Sequence, residues 1–307
     1  KLAELALRVA ELAPGDEAWR SRLQGYAWAH VGNAKRVGSD LPGAEAAFVE
    51  AWRLWQAGAS AGSDLLDEAR LLDLEVSLRR AQGQFAKALD LLDQALAADR
   101  SNRAGRLMIK KATVLESLGD FEEAVMTLKR AAPHIETEDN AELVFALRFN
   151  LAVNLCLLDR PGEAELLLPE LQELVAGLDH DLDQIRLRWL LGRVAAGLGR
   201  REEALSAFSS VREELTTREM AYDVALVSLE LAALYLEDGR TPEVRALSRR
   251  MMWVFQAQGV HREARAALQL FQEAAEREAV TSELVRQVVR YLHRAQHAPS
   301  LKFDAAA

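Results

Sequence analysis

His30, Asn33 and Arg36 follow one another at intervals of three in AWAHVGNAKR, residues 27–36. On a helix that spacing lays them along one stripe. Their types suit recognition more than bond-making. An arginine presents a planar fork of donors to a carboxylate, and an asparagine holds a peptide group through its donor and its acceptor together. Elsewhere the reactive side chains lack partners. His293 and His297 are four apart, a spacing that can chelate zinc, but no Glu follows His293 and no third ligand is evident. They read as the solvated face of a terminal helix, and no metal is expected. Cys156 sits in the apolar run NLAVNLCLLD with no His or base beside it, as a buried structural thiol would. Glycine-rich phosphate loops and CxxC are absent. Glu122–Glu123 and Glu202–Glu203 follow turns, where acidic pairs suit helix N-termini. The expectation is a protein without enzymatic activity and without a cofactor.

The elements that carry these residues are helical. Of the 307 residues half are hydrophobic, only 6% are aromatic and 28% are charged, and the charged and apolar types are strong helix formers. The net charge of −9 argues against general affinity for nucleic acid, which needs a basic surface. The most apolar stretch, VALVSLELAALYL (224–236), is interrupted by Glu230 and reads as a buried helix, so no membrane span is expected. One cysteine cannot form an internal disulfide, and a cytoplasmic location is the default. The chain opens on an amphipathic helix without an initiating Met, as a segment of a longer protein would, or a chain whose beginning was trimmed. The terminal AAA carries no weight in this reading.

A repeat organises the chain. SDLPGAEAAFVEA (39–51), GQFAKALDLLDQA (83–95), GDFEEAVMTLKRA (119–131), DRPGEAELLLPEL (159–171), GRREEALSAFSSV (199–211) and GRTPEVRALSRRM (239–251) align on a turn followed by a small residue. Those small residues are Ala44, Ala88, Ala124, Ala164, Ala204 and Val244, separated by 44, 36, 40, 40 and 40 positions. In the first repeat Trp28, Val31 and Gly32 precede Ala44, Phe48 and Ala51; in the fifth, Leu191 and Gly192 precede Ala204, Phe208 and Val211. A Gly or Ala lets two antiparallel helices approach, and the larger residues fill the space between stacked pairs.

This pattern resembles the tetratricopeptide repeat, W-x2-L-G-x2-Y followed by A-x3-F-x2-A, with a period near 40 where 34 is usual. Its tyrosine is kept only at Tyr235, the equivalents being Lys35, Arg79, Leu115, Leu155 and Ala195. The resemblance implies an all-α, right-handed α-solenoid of antiparallel helix pairs. Residues 1–15 form an N-terminal helix completing an upstream repeat, 16–257 six helix pairs, 258–298 capping helices and 299–307 a tail. The predicted helices are 1–13, 16–38, 42–57, 63–82, 85–98, 103–118, 121–133, 138–158, 161–177, 181–198, 201–216, 218–238, 241–257, 261–277 and 281–296.

In such a solenoid the first helix of each pair lines the concave surface. By resemblance, the ligand-facing positions are Tyr26, His30, Asn33 and Arg36; Arg70, Asp73, Ser77 and Arg80; Arg106, Lys110, Thr113 and Glu116. The later repeats supply Phe149, Asn150 and Cys156, then Arg186, Trp189 and Arg193, then Leu226, Leu229, Glu230 and Glu237. In the first three repeats and the fifth these positions hold seven Arg or Lys against two acids, the reverse of the whole chain's balance. A basic groove would attract an acidic peptide, a free C-terminal carboxylate or a phosphate. The carboxylate clamp of co-chaperone domains is matched at Asn33, Arg106 and Lys110 but fails at Ala29 and Leu74.

The expected function is therefore a scaffold that binds a protein or peptide. The alternative is a regulatory or sensor module of a longer protein, such as a peptide-responsive transcription regulator or a bacterial defence effector. Met251, Met252, Trp253, Phe255 and Phe271 also raise the prospect of a homodimer through the C-terminal helices.

Overall fold

The computed structural model describes residues 2–61, 66–99, 103–135, 140–178, 181–257, 262–295 and 302–303, and all regular secondary structure among them is helical. The chain divides into two compact units, residues 1–114 and 115–307, with the division inside α6. The first unit holds α1 (Leu2–Leu12), α2 (Glu17–Val37), α3 (Leu41–Ala57), α4 (Glu68–Ala81), α5 (Phe85–Ala98) and most of α6 (Ala104–Leu118). The second begins with the end of α6. It continues through α7 (Phe121–Ile135), α8 (Ala141–Leu157), α9 (Pro161–Glu165), α10 (Leu168–Ala176), α11 (Asp181–Gly197) and α12 (Arg201–Thr217). It closes with α13 (Ala221–Glu237), α14 (Thr241–Ala257), α15 (Arg262–Glu276) and α16 (Ser282–Ala295).

Each of the six aligned segments opens on one left-handed residue. These are Ser39, Gly83, Gly119, Asp159, Gly199 and Gly239, all with φ between 58° and 89°. The following amide donates back to a carbonyl five positions upstream, as in Asp40 to Lys35 (2.9 Å) and Arg200 to Ala195 (2.8 Å). This bond closes the first helix of the pair and turns the chain into the second. Glycine adopts the conformation freely; Ser39 and Asp159 hold it against their own Cβ. Asp40 then caps α3 by accepting from the Gly43 amide at 2.9 Å.

Pairs close through a small residue facing a large one. A Cβ on Gly32 would come within 2.8 Å of the Phe48 ring, and one on Gly192 within 2.6 Å of the Phe208 ring. Both phenylalanines are buried, and each such burial contributes about 1.5–3 kcal/mol. In the first unit Ala29, Ala44, Phe48, Ala51, Trp55, Leu71, Leu74 and Leu78 form one cluster across α2, α3 and α4. The larger cluster of the second unit runs from Ile185 through Phe208, Leu229 and Phe255 to Leu292.

One expectation is corrected. The helix over 161–177 is broken into α9 and α10, because Pro169 has no N–H to donate and its ring would clash with the carbonyl of Glu165. The terminal helix α16 lies against α13 as well as α15 and buries Val285, Val288, Tyr291, Leu292 and Ala295. Residues 258–261 and 296–301 of the predicted cap and tail lie outside the described residues. Phe303 returns onto the Tyr291 ring, edge to face at 5.0 Å. Of the aromatic and Met residues near the C-terminus, Met251, Phe255 and Phe271 are core, while Trp253 is 69% exposed.

Candidate functional site

The first helices bury one side against their partners and leave a half-buried stripe on the other. In the first unit α2 buries Gly25, Ala29 and Gly32, which places Tyr26, His30, Asn33 and Arg36 along its open side. The Tyr26 ring meets His30 edge-on at 5.2 Å. Burial, then the charge of Arg70, pulls the His30 pKa below its ordinary value of 6.5, which favours the neutral ring. Arg36 donates its Nε to the Asn33 side-chain oxygen at 3.0 Å and has no carboxylate partner among the described residues.

The neighbouring stripes of α4 and α6 meet around one buried acid. Asp73, 8% exposed, receives Arg70 at 2.6 Å on one oxygen and Lys110 on the other. Lys110 also donates to the Asp73 backbone carbonyl at 2.9 Å and to the Ser77 hydroxyl at 3.1 Å. Burial lowers the Lys110 pKa, and Asp73 only partly offsets it. The structure thus brings Arg70, Ser77 and Lys110 together. Arg106 is exposed with no partner among the described residues, and Arg80 is half-buried. Thr113 donates to its own helix, at Ile109, 3.0 Å away, and is thereby turned inward.

The second unit carries a cavity of about 160 Å³ lined by the open sides of α8, α11 and α13, the end of α6 and the last helix α16. Phe149, Val153, Trp189, Leu190 and Leu226 supply its apolar wall; Glu116, Asn150, Arg186, Arg193, Asp223 and His293 supply polar groups. Asn150, Arg186, Trp189 and Arg193 were all expected here from the repeat. Leu226 lines the cavity edge-on, being 1% exposed, and Leu229 is wholly core. Cys156 is half-buried, and burial raises its thiol to about 11, so it is no nucleophile at neutral pH.

The cations here are matched. Glu230 accepts from Trp189 Nε1 at 2.8 Å and from Arg193 at 2.6 Å, and the Arg193 guanidinium lies 4.9 Å from the Trp189 ring centre. Burial opposes the charge on Arg193, and the Glu230 carboxylate more than restores it. Arg186 meets Asp183 at 3.1 Å. Asn154, fully buried, donates one amide to Glu116 at 2.9 Å and to the Asn150 carbonyl at 2.8 Å. Its side-chain oxygen has no hydrogen-bond partner among the described residues.

Asn154 was not singled out from sequence. Asn154 repeats Asn150 one turn later, a signal that was available. Glu230 answers Arg193 from 37 positions on, close to one repeat. His293 reaches the cavity only because α16 leaves the alternation of the pairs, and no sequence signal marks that. His297 lies outside the described residues. Among the described residues no helix is long and apolar enough to cross a membrane.

The tetratricopeptide repeat family matches residues 79–143. A crystal structure of a tetratricopeptide repeat protein from Parabacteroides merdae aligns over 88% of this chain and 98% of its own, at 18% identity and a TM-score of 0.54. A Rap protein complexed with Competence and Sporulation Factor aligns over 96% of this chain and 83% of its own, at 13% identity and a TM-score of 0.66. No curated protein matches. The fold is of the tetratricopeptide-repeat type. In tetratricopeptide terms, the Gly32–Phe48 and Gly192–Phe208 contacts are the small and large positions of the repeat, and the period near 40 is kept from turn to turn between Gly119 and Gly239.

Proposed function

We propose that the protein is a non-catalytic scaffold that holds a protein or peptide segment on the open sides of its first helices. The observation that carries this is the cavity of the second unit. An apolar floor there is ringed by an amide, two guanidiniums and two carboxylates, the composition of a pocket that orients a ligand. The Rap protein's complex with a factor supports the same reading by likeness of fold. In the first unit, Arg70 and Lys110 on Asp73, with Arg36 and Arg106 on the open sides of α2 and α6, suit an acidic segment or a terminal carboxylate.

Probing a peptide array with the full chain tests the reading. Peptides retained by the second unit lose at least about tenfold in affinity with Trp189→Ala, a cost of about 1.4 kcal/mol. Acidic peptides retained by the first unit lose a similar factor when Arg36 and Arg106 are both changed to Glu. An array on which neither set of substitutions alters any retained peptide sinks the assignment.

A second reading, a sensor module of a longer protein, also draws on the likeness to the Rap complex. Sequencing the gene on both sides of this chain decides it. An adjoining DNA-binding or effector domain supports the sensor; a stand-alone gene removes it.

A further inference from the structure

We propose that α1 is the contact surface of a symmetric dimer, its outer face packing antiparallel against the same face of a second copy of this chain. The proposal stands apart from whatever the open sides of the first helices hold.

Spacing and exposure define the face. α1 packs against α2, burying Ala10 and half-burying Leu7. On the side away from these two, Leu2, Leu5, Val9 and Leu12 are 84%, 57%, 61% and 86% exposed. Their intervals of three, four and three are those of a coiled-coil seam, a stripe that one helix covers. Single exposed apolar residues are ordinary, whereas four in one stripe mark a contact surface. The last helix of the second unit shows the alternative. There Glu283, Arg286 and Arg290 are exposed and paired with one another at 2.9 and 3.0 Å. A stack of helical repeats stays in solution when its terminal elements are polar outside, and α1 is apolar there.

The pattern itself selects the occupant. Reversed about residue 7, the stripe is unchanged: Leu2 falls level with Leu12 of a second copy, and Leu5 with Val9. Each apolar side chain then meets one from the other chain, as an isologous two-fold contact requires. The same reversal sets every acid and arginine of the helix level with an alanine: Glu4 with Ala10, Arg8 with Ala6, Glu11 with Ala3. Parallel packing instead puts Glu4, Arg8 and Glu11 each level with its own counterpart, like charge on like. Area sets the strength. Side chains of this size cover about 60–120 Å² each, so the stripe buries about 240–480 Å² per copy. A standard stable interface buries roughly 800 Å² per partner, and the dimer is therefore a weak one that forms as the protein is concentrated.

Sedimentation equilibrium of the full chain from about 5 to 500 μM tests this. The average mass is expected to climb from that of one chain toward that of two. Leu5→Glu combined with Val9→Glu is expected to raise the dissociation constant at least about tenfold. The circular-dichroism melt of that variant at low concentration should not move, because both side chains are exposed in the single chain. Trp253→Glu, at an exposed position of α14, is expected to leave association unchanged. Orientation is read in a Cys156→Ser background. A mixture of Leu5→Cys chains and Val9→Cys chains should form disulfide-linked dimers on mild oxidation, and neither should do so alone. A mass that stays at one chain across the range overturns the proposal and leaves the stripe to a helix of a different protein. Association that survives Leu5→Glu with Val9→Glu, or that is lost with Trp253→Glu, overturns it as well. Cross-linking within either single-cysteine sample refutes the antiparallel arrangement.

Discussion

The open first-helix sides of the two units use charge in opposite ways. In the first unit one buried acid, Asp73, serves two cations, Arg70 and Lys110, and Arg36 and Arg106 have no carboxylate of their own among the described residues. In the second unit each cation has its own acid, and Glu116 and Asp223 are added to the wall. On a chain of net charge −9, Arg36 and Arg106 thus stand on the first unit's open helix sides without a carboxylate among the described residues. The difference teaches that the charge of a repeat's open side is set by the neighbouring repeats. Lys110 reaches back 37 positions to Asp73, and Arg193 reaches forward 37 to Glu230.

The contrast breaks most readily at the buried pair. Arg193→Ala strands Glu230 at 17% exposure, and denaturant unfolding should register a loss of about 3–5 kcal/mol. Replacing both Arg193 and Glu230 by Met should recover most of it. A loss under about 1 kcal/mol for the single change would mean the pair is solvated, and the distinction between the units would collapse. Gly32→Ala and Gly192→Ala each force a Cβ into a phenylalanine ring, and each should cost about 1–3 kcal/mol. Equal costs would show that the units differ in charge and not in packing.

Lys110→Met in the first unit leaves Asp73 its bond to Arg70, and should cost only about 1 kcal/mol. The smallest effect is a pH dependence. His30 is held below its ordinary 6.5, so the folded state binds fewer protons than the unfolded chain in the window beneath that value. Stability is full above pH 6.5 and falls as the pH drops through the lowered pKa. His30→Gln should flatten the stability curve in that window, as read by thermal melts across pH.

The pairing of helices was legible in sequence because one residue fixes each turn. The left-handed positions coincide with the first residue of all six aligned segments, including Ser39 and Asp159, where no glycine marks them. The small-to-large contacts at Gly32 and Gly192 were legible for the same reason, since the period brings them opposite Phe48 and Phe208. The break in the helix over 161–177 was also written there, in Pro169, but apolar periodicity runs through the break and masks it. The site was legible in position and less so in charge. Counting Arg and Lys at the groove positions of four repeats left out Glu230 in the next, which neutralises Arg193. His293 was the least legible, because its place depends on how α16 turns back onto α13 and on no local pattern.

The divided helix of the fourth pair has a consequence for how the protein opens. Its pieces, α9 and α10, are 5 and 9 residues long, both under the roughly 12–15 residues at which an isolated helix is even marginally stable in water. Neither holds its shape except by resting on α8 and α11, with the Arg148–Glu170 ion pair at 2.9 Å as a polar tie. The unbroken 17-residue α12, at the equivalent place one repeat on, has no such weak joint. Amide exchange in the native protein should begin at Leu166 and Leu167 and spread through α10 before it touches α12. A single proline thus gives an otherwise regular stack of helices a defined first place to come apart.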